Sequence, residues 1–324
     1  MAQWLPSLIG LRVLLRRSTP MTRPGRAVHR ILSFELYSIP LEQHASVRQK
    51  LEDLVQENPR LRAEVHIEHD RLFVSGEDEL QLLELRLKVI QRELAEPGNL
   101  KVNYLETVLG SAEAEHSYLR DTGGSRNYGY CKLRVEPGPR GSGLQFLYDL
   151  DNEAIARQSV QAIEAGVREA AQGGTLQGCE LVDLKVTLLT SDCDEVGRHE
   201  MSLRIAGAMA LREAAKQAKP IVLEPMVEAT IDLPTPFMSS VMEDIHARFG
   251  RVESISQTVD GLLIRAAIPI AEVLRSSARG RSGYTTRFLR YEPIKSKGSD
   301  GEAGAIVRNP WPPHPRGSAT AVKF

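Results

Sequence analysis

The chain has few aromatic residues: they make up 5% of its 324 positions. That scarcity argues against an all-β sandwich or propeller. Cysteine is almost absent too. Cys131, Cys179 and Cys193 are odd in number and far apart, and no CxxC pair exists. A disulfide framework and a zinc knuckle are excluded, and a reducing compartment is the default. Neither charge dominates, with 41 Lys+Arg against 42 Asp+Glu. Total charge therefore does not announce a nucleic-acid binder, and any basic surface must be local. No apolar run approaches the ~18 residues of a membrane span. The nearest, WLPSLIGLRVLL, is broken by Pro6 and Arg12, so no membrane partner is expected. Acid is missing from the start of the chain. Residues 1–34 hold six arginines, and the first carboxylate is Glu35. We read residues 1–30 as an unstructured leader or as a stretch upstream of a start at Met21. An organelle transit peptide is the alternative for such a composition.

The remaining sequence is rich in periodic patterns. RILSFELYSI (30–39) alternates as a strand. A helix follows with Val47, Leu51, Leu54 and Val55 on one face, stopped by Pro59. AEVHIEH and RLFVSG read as two strands. EDELQLLELRLKVIQREL reads as a helix presenting Leu80, Leu83, Leu87 and Ile90, and LKVNYLE (100–106) as a closing strand. This order, β-α-β-β-α-β, is the ferredoxin-like pattern. The same order returns late. MVEATIDLP is a strand. The next helix has Thr235 as N-cap, Pro236 at its first position and Gly250 as its stop, and buries Met238, Val241, Ile245 and Phe249. RVESISQ and GLLIRAAIP form a hairpin, IAEVLRSSARG a short helix and YTTRFLRYEP a final strand. Between the two units lie a strand YCKLRVEPGP, a helix closed by Gly173 and Gly174, and a strand with Val182, Leu184, Val186 and Leu188 inward and Asp183, Lys185 and Thr187 outward. An alanine-rich helix ended by Pro220 completes this region. The fold class is α+β: three consecutive α+β domains, the first and last ferredoxin-like. The expected boundaries are 31–103, 104–220 and 221–292, with a disordered, proline-rich tail at 293–324.

Known chemistries find little support. A phosphate-binding Walker loop needs GxxxxGK[ST], and no such string occurs. DTGGSRNYGY (121–130) lacks the lysine and sits between two strand-like segments, so it reads as a hairpin turn. Arg126 at such a tip is free to meet a phosphate backbone. His66 and His69 are three apart in a strand and point to opposite faces, which does not suit a metal pair. TSDCDEVGRHE gathers Asp192, Cys193, Asp194, Glu195 and His199 in one loop, but no second histidine, lysine or oxyanion turn joins them. We read it as a solvated loop; a small enzyme using it is a rival of a different class. No GxSxG serine motif occurs.

Three stretches near the C-terminus resemble the last domain of translation elongation factor G: KPIVLEPMVEATIDLP, VMEDIHARFGRVESI and GRSGYTTRFLRYEP. Upstream, TGGSRNYGY is similar to the Gly-Gly-Arg-Gly-Gln-Tyr-Gly turn of that family's fourth domain. Gly123, Gly124, Tyr128 and Gly129 match it, and Ser125, Arg126 and Asn127 depart from it. NYLETV is similar to the family's Tyr-Arg-Glu-Thr strand. NPRLRAEVHI and LFVSGEDELQLLELRL loosely resemble its third domain. The resemblance covers about 31–292, and nothing in it corresponds to the family's GTPase domain or the barrel that follows it.

The resemblance implies a middle domain of the ribosomal-protein-S5-like arm type. It implies ribosome contact through the arm tip: Gly123, Gly124, Ser125, Arg126, Asn127, Tyr128, Asp194 and Glu195. Asp194 stands where the family carries a histidine near the codon–anticodon helix, and a carboxylate there repels phosphate. The implied partners are ribosomal RNA, the factor-binding site and the tRNA–mRNA region, with a separate GTPase chain as a further candidate. No catalytic residue and no cofactor is expected in this chain; GTP and Mg²⁺ would belong to the missing domain. The expectation is a GTPase-less relative, a truncated paralogue or C-terminal fragment, that acts in translation in the cytoplasm. A relative of the tetracycline-resistance ribosomal protection proteins and a non-ribosomal interaction module are the alternatives.

Overall fold

In a computed structural model, residues 29–57, 63–68, 71–122, 125–148, 157–192, 200–258, 261–271 and 285–294 are described. The first unit runs β1 (Leu32–Tyr37), α1 (His44–Glu57), β2 (Ala63–Glu68), β3 (Arg71–Gly76), α2 (Glu79–Gln91), β4 (Glu96–Pro97) and β5 (Lys101–Val102). Its sheet is ordered β2-β3-β1-β4, with β5 also paired to β1. This is the ferredoxin-like arrangement, and all the pairs are antiparallel. Val47, Leu51 and Leu54 of α1 are buried, as their spacing predicts. Asp78 caps α2 by accepting from the Gln81 amide at 3.0 Å.

The buried face of α2 is not the one expected. Leu82, Leu85 and Val89 enter the core, while Leu80, Leu87 and Ile90 are exposed. ELQLLELRLKVIQ carries leucine on most sides of the helix, so its periodicity does not choose a face. The closing strand also differs. Residues 96–97 and 101–102 pair with β1, but Leu105–Val108 leaves this sheet altogether.

The middle region runs β6 (Leu105–Val108), β7 (Ala112–Thr122), β8 (Ser125–Pro137), β9 (Leu144–Tyr148), α3 (Arg157–Gln172), β10 (Glu180–Leu181), β11 (Leu184–Asp192) and α4 (Glu200–Gln217). The long strands form one sheet, β7-β8-β11-β9, in which β9 is parallel to β11. Helix α4 packs across β7 and β8, and α3 packs on α4. Cys131, Leu133 and Val135 of β8 join Leu203, Ala206 and Ala210 of α4 in one core cluster. β11 begins at Leu184 because Asp183 adopts φ +58° and is buried, not outward as expected. Its carboxylate accepts from the Gly143 amide at 3.2 Å, and its carbonyl accepts from the Gly138 amide at 2.7 Å.

The last unit runs β12 (Pro220–Leu233), α5 (Met238–Ala247), β13 (Arg251–Gln257), β14 (Leu262–Pro269) and β15 (Thr285–Pro293). The order β15-β12-β14-β13 repeats the ferredoxin-like topology. A 3-10 turn at Thr235–Phe237 precedes α5, and no side chain caps it, so Thr235 is not the N-cap. The left-handed residue at the end of α5 is Phe249 (φ +57°) and not Gly250, whose amide donates to the Ile245 carbonyl at 2.9 Å. Pro293 and Ile294 still pair with Leu223 and Val222, so strand pairing reaches into the expected tail. The expected leader (1–30) lies outside the described residues up to position 28. The second helix of this unit beyond residue 271, and the tail beyond 294, lie outside them as well.

The first and last units share one core: Ile31 to Val89 of the first is continuous with Val227 to Ile270 of the last, and Phe288 and Tyr291 pack against it. In the middle region, α3 and α4 cross with unusually close backbones. A Cβ on Gly166 would lie 1.9 Å from the Arg204 carbonyl oxygen. In an isolated helix, Gly→Ala gains about 1 kcal/mol from propensity. Here the obstacle is backbone, which no rotamer change relieves, so the sign reverses. Gly166→Ala is expected to lower stability by about 1–3 kcal/mol, read as a lower urea midpoint with unchanged slope.

Candidate functional site

The segment singled out in the sequence is the end of a long hairpin. β7 and β8 pair antiparallel from Ala112↔Val135 out to Thr122↔Ser125. That register leaves Gly123 and Gly124 as the two-residue connection, as a hairpin requires. Both glycines lie outside the described residues, as do Asp194, Glu195 and the rest of 193–199. Ser125 and Arg126 are placed as backbone in β8, paired with Thr122 and Asp121. Asn127 and Tyr128 are half-buried opposite Arg120 and Leu119. β11 ends at Asp192, paired with Tyr130, and α4 begins at Glu200.

Gly129 has a role that turn chemistry did not suggest. It is not a positive-φ residue. A Cβ there would meet Leu203 N and Ser202 C at 2.7 Å. The glycine lets the first turn of α4 lie directly against β8, which brings the start of that helix beside the hairpin.

The solvent face of the arm sheet is electrically self-compensated. Glu113 accepts from Lys132 at 2.9 Å and from Arg134 at 2.8 Å. Lys185 lies 3.7 Å from Glu136. The Tyr130 hydroxyl donates to Glu115 at 2.7 Å, and its pKa is pushed up to about 12, chiefly by that bond. The two cations hold the Glu113 carboxyl below its ordinary value, mainly through the Lys132 hydrogen bond, and Lys132 is raised in turn. Exposed pairs of this kind add little stability. Their effect is to cancel the field that phosphates would feel.

At the base of the arm, Glu106 is fully buried. It belongs to the YLET stretch, and its carboxylate collects one loop. Oε2 accepts from the Thr175 and Leu176 amides at 2.6 and 2.9 Å and from the Thr175 hydroxyl at 3.2 Å. Oε1 accepts from the Gln177 and Cys179 amides at 2.7 and 3.2 Å. Gly174, at φ +56°, allows the turn: a Cβ there would lie 2.1 Å from the Cys179 carbonyl oxygen. β6, which carries Glu106, pairs in parallel with β10 and antiparallel with the first residues of β12. Next to this loop, the Tyr291 hydroxyl donates to the Asn103 carbonyl at 3.1 Å, and burial raises its pKa, with Glu180 and Cys179 adding to the effect. Phe288 stacks edge-on to Tyr291 and against His29. One small region therefore ties together all three units.

Neither cysteine among the described residues is activated. Burial pushes the Cys131 and Cys179 thiols up to about 12 and about 11, so both stay protonated and poorly nucleophilic. His66 stacks on Phe73. Among the described residues no group of three or more His, Cys, Asp or Glu could hold a metal, and no helix is long and apolar enough to cross a membrane.

The chain is a multidomain α+β protein in which the long β7–β8 hairpin is backed by α4 and α3 lies behind that helix. Residues 100–219 match elongation factor G domain IV, and residues 221–300 match the elongation factor G C-terminus. Over those residues the chain belongs to the elongation factor G family. A crystal structure of a protein from Thermus thermophilus is similar at a TM-score of 0.60 and 27% identity, over 84% of this chain and 42% of that one. The chain thus spans less than half the length of that protein.

Two substitutions test this geometry. Glu106→Ala leaves four loop amides without their acceptor and is expected to cost about 3 kcal/mol or more, measured by denaturant unfolding. Glu113→Gln removes the carboxylate charge that faces Lys132. It is expected to tighten binding to structured RNA and to steepen the log K against log salt slope by about 1, measured by fluorescence anisotropy across a salt series.

Proposed function

We propose that the chain is a ribosome-binding part of an elongation-factor-G-like translation protein, with the arm as its RNA-facing element. The observation that carries this reading is the coincidence of the family's domain IV match with a two-stranded arm held rigidly at its base. In this reading residues 31–103 act as the counterpart of the family's third domain. Residues 104–220 form the arm, and 221–292 seat it. The contact surface is the hairpin end, Gly123 to Tyr128, together with Asp194 and Glu195.

Because the arm's sheet face is internally neutralised, contact depends on the tip. Arg126 supplies a cation there, and Asp194 supplies an opposing charge. GTP hydrolysis is not performed by these residues and must come from another part of the assembly, either a separate GTPase chain or polypeptide outside the 324 residues. The protein works where ribosomes are, in the cytoplasm.

Co-sedimentation of the purified protein with bacterial ribosomes over a salt series tests this. Saturable binding that weakens with salt is expected, since Lys/Arg–phosphate contacts release counterions. Arg126→Ala should weaken it about threefold to tenfold, and Asp194→His should strengthen it, each by the order of one phosphate contact. Absence of binding by the folded protein at low salt overturns the reading.

A further inference from the structure

Helix α2 is apolar on two opposite sides. Leu82, Leu85 and Val89 fill the core, while Leu80, Leu83, Leu87 and Ile90 line the other side, with exposures of 75, 58 and 49% at Leu80, Leu87 and Ile90. Spacing of i, i+3, i+7 and i+10 puts these four side chains in one stripe about 15 Å long. A solvent-facing helix normally carries polar residues on that side, so the stripe calls for a cover.

Two observations point to what covers it. The first is where the chain arrives. The His29 amide donates to Glu77 Oε1 at 2.9 Å, which pins residue 29 beside the first turn of α2. The second is what precedes it. In residues 1–28, Trp4, Leu8, Leu11 and Leu15 recur at i, i+4, i+7 and i+11, a matching stripe. Thirteen residues lie between Leu15 and His29, a span that can extend about 45 Å, so the whole α2 stripe lies within reach. Charge agrees with this placement. Arg12, Arg16, Arg17, Arg23 and Arg26 are unopposed by any acid within 1–28, whereas Glu77, Asp78, Glu79 and Glu84 sit at or near the start of α2.

We propose that residues 4–15 pack lengthwise on the Leu80–Leu83–Leu87–Ile90 face of α2, with the following arginines beside its acidic N-terminal end. The segment is then a structural strap of the first unit, and not a dispensable leader or an address.

The test uses the full chain with a photoreactive side chain, Leu87→benzoylphenylalanine, and Lys50→benzoylphenylalanine on exposed α1 as control. After irradiation at dilute protein, the position-87 adduct is expected within residues 4–15 of the same molecule, at a yield independent of concentration, and the control is expected to give none. In parallel, Leu8→Asp with Leu11→Asp should raise bis-ANS fluorescence at least about twofold by uncovering the stripe, with the far-UV spectrum unchanged. Adducts that form only between molecules and grow with concentration would show a second copy on this face and overturn the proposal. Adducts to other segments, or none at all, would overturn it too.

Discussion

One buried carboxylate organises the base of this molecule. Four amides and a hydroxyl of 175–179 converge on Glu106, and a group with so many donors cannot be moved without leaving each of them unsatisfied in the interior. The loop in turn brings Cys179 and Glu180 beside Tyr291, which reaches Asn103 of the first unit. The arm's direction therefore does not rest on a flexible linker. It follows from a hydrogen-bonded knot to which each unit contributes.

Much of this architecture was legible in the residues. Both ferredoxin-like units follow from alternating and 3.6-period patterns separated by turn residues, and the hairpin about residues 123–124 follows from two strand-like segments around paired glycines. The reading failed where pattern is degenerate or where partners are distant. Leucine at nearly every turn of α2 conceals which face is inside. β6 and β10, four and two residues long, gain their strand character only from each other and from β12. Asp183 interrupts an alternation that looks unbroken because it answers to Gly138 and Gly143 across a loop. Gly129 resembles a turn glycine in sequence and is a packing glycine in space. Of the candidate tip residues, Asn127 and Tyr128 are placed in full and Ser125 and Arg126 as backbone, so the site was legible as a location more than as a set of contacts.

The charge arrangement explains why composition is silent about partners. Lys132, Arg134 and Lys185 on the arm each face a carboxylate of the same sheet. A chain-wide balance of 41 against 42 is thus reproduced locally. Such a surface keeps an extended sheet soluble and discourages indiscriminate phosphate binding. In the proposed reading, recognition is left to the end of the hairpin.

The shared strand β12 has a consequence for the order in which the protein is made. Its first residues complete the strand β6 at the foot of the arm, and its last residues form the centre of the final unit. On a growing chain, residue 108 waits for its β12 partner until residue 220 has emerged, and one edge of β12 stays open until residues 285–293 arrive. Such distant pairings form late and slowly. A nascent chain stalled before residue 220 would have its hairpin and helices but no foundation beneath them.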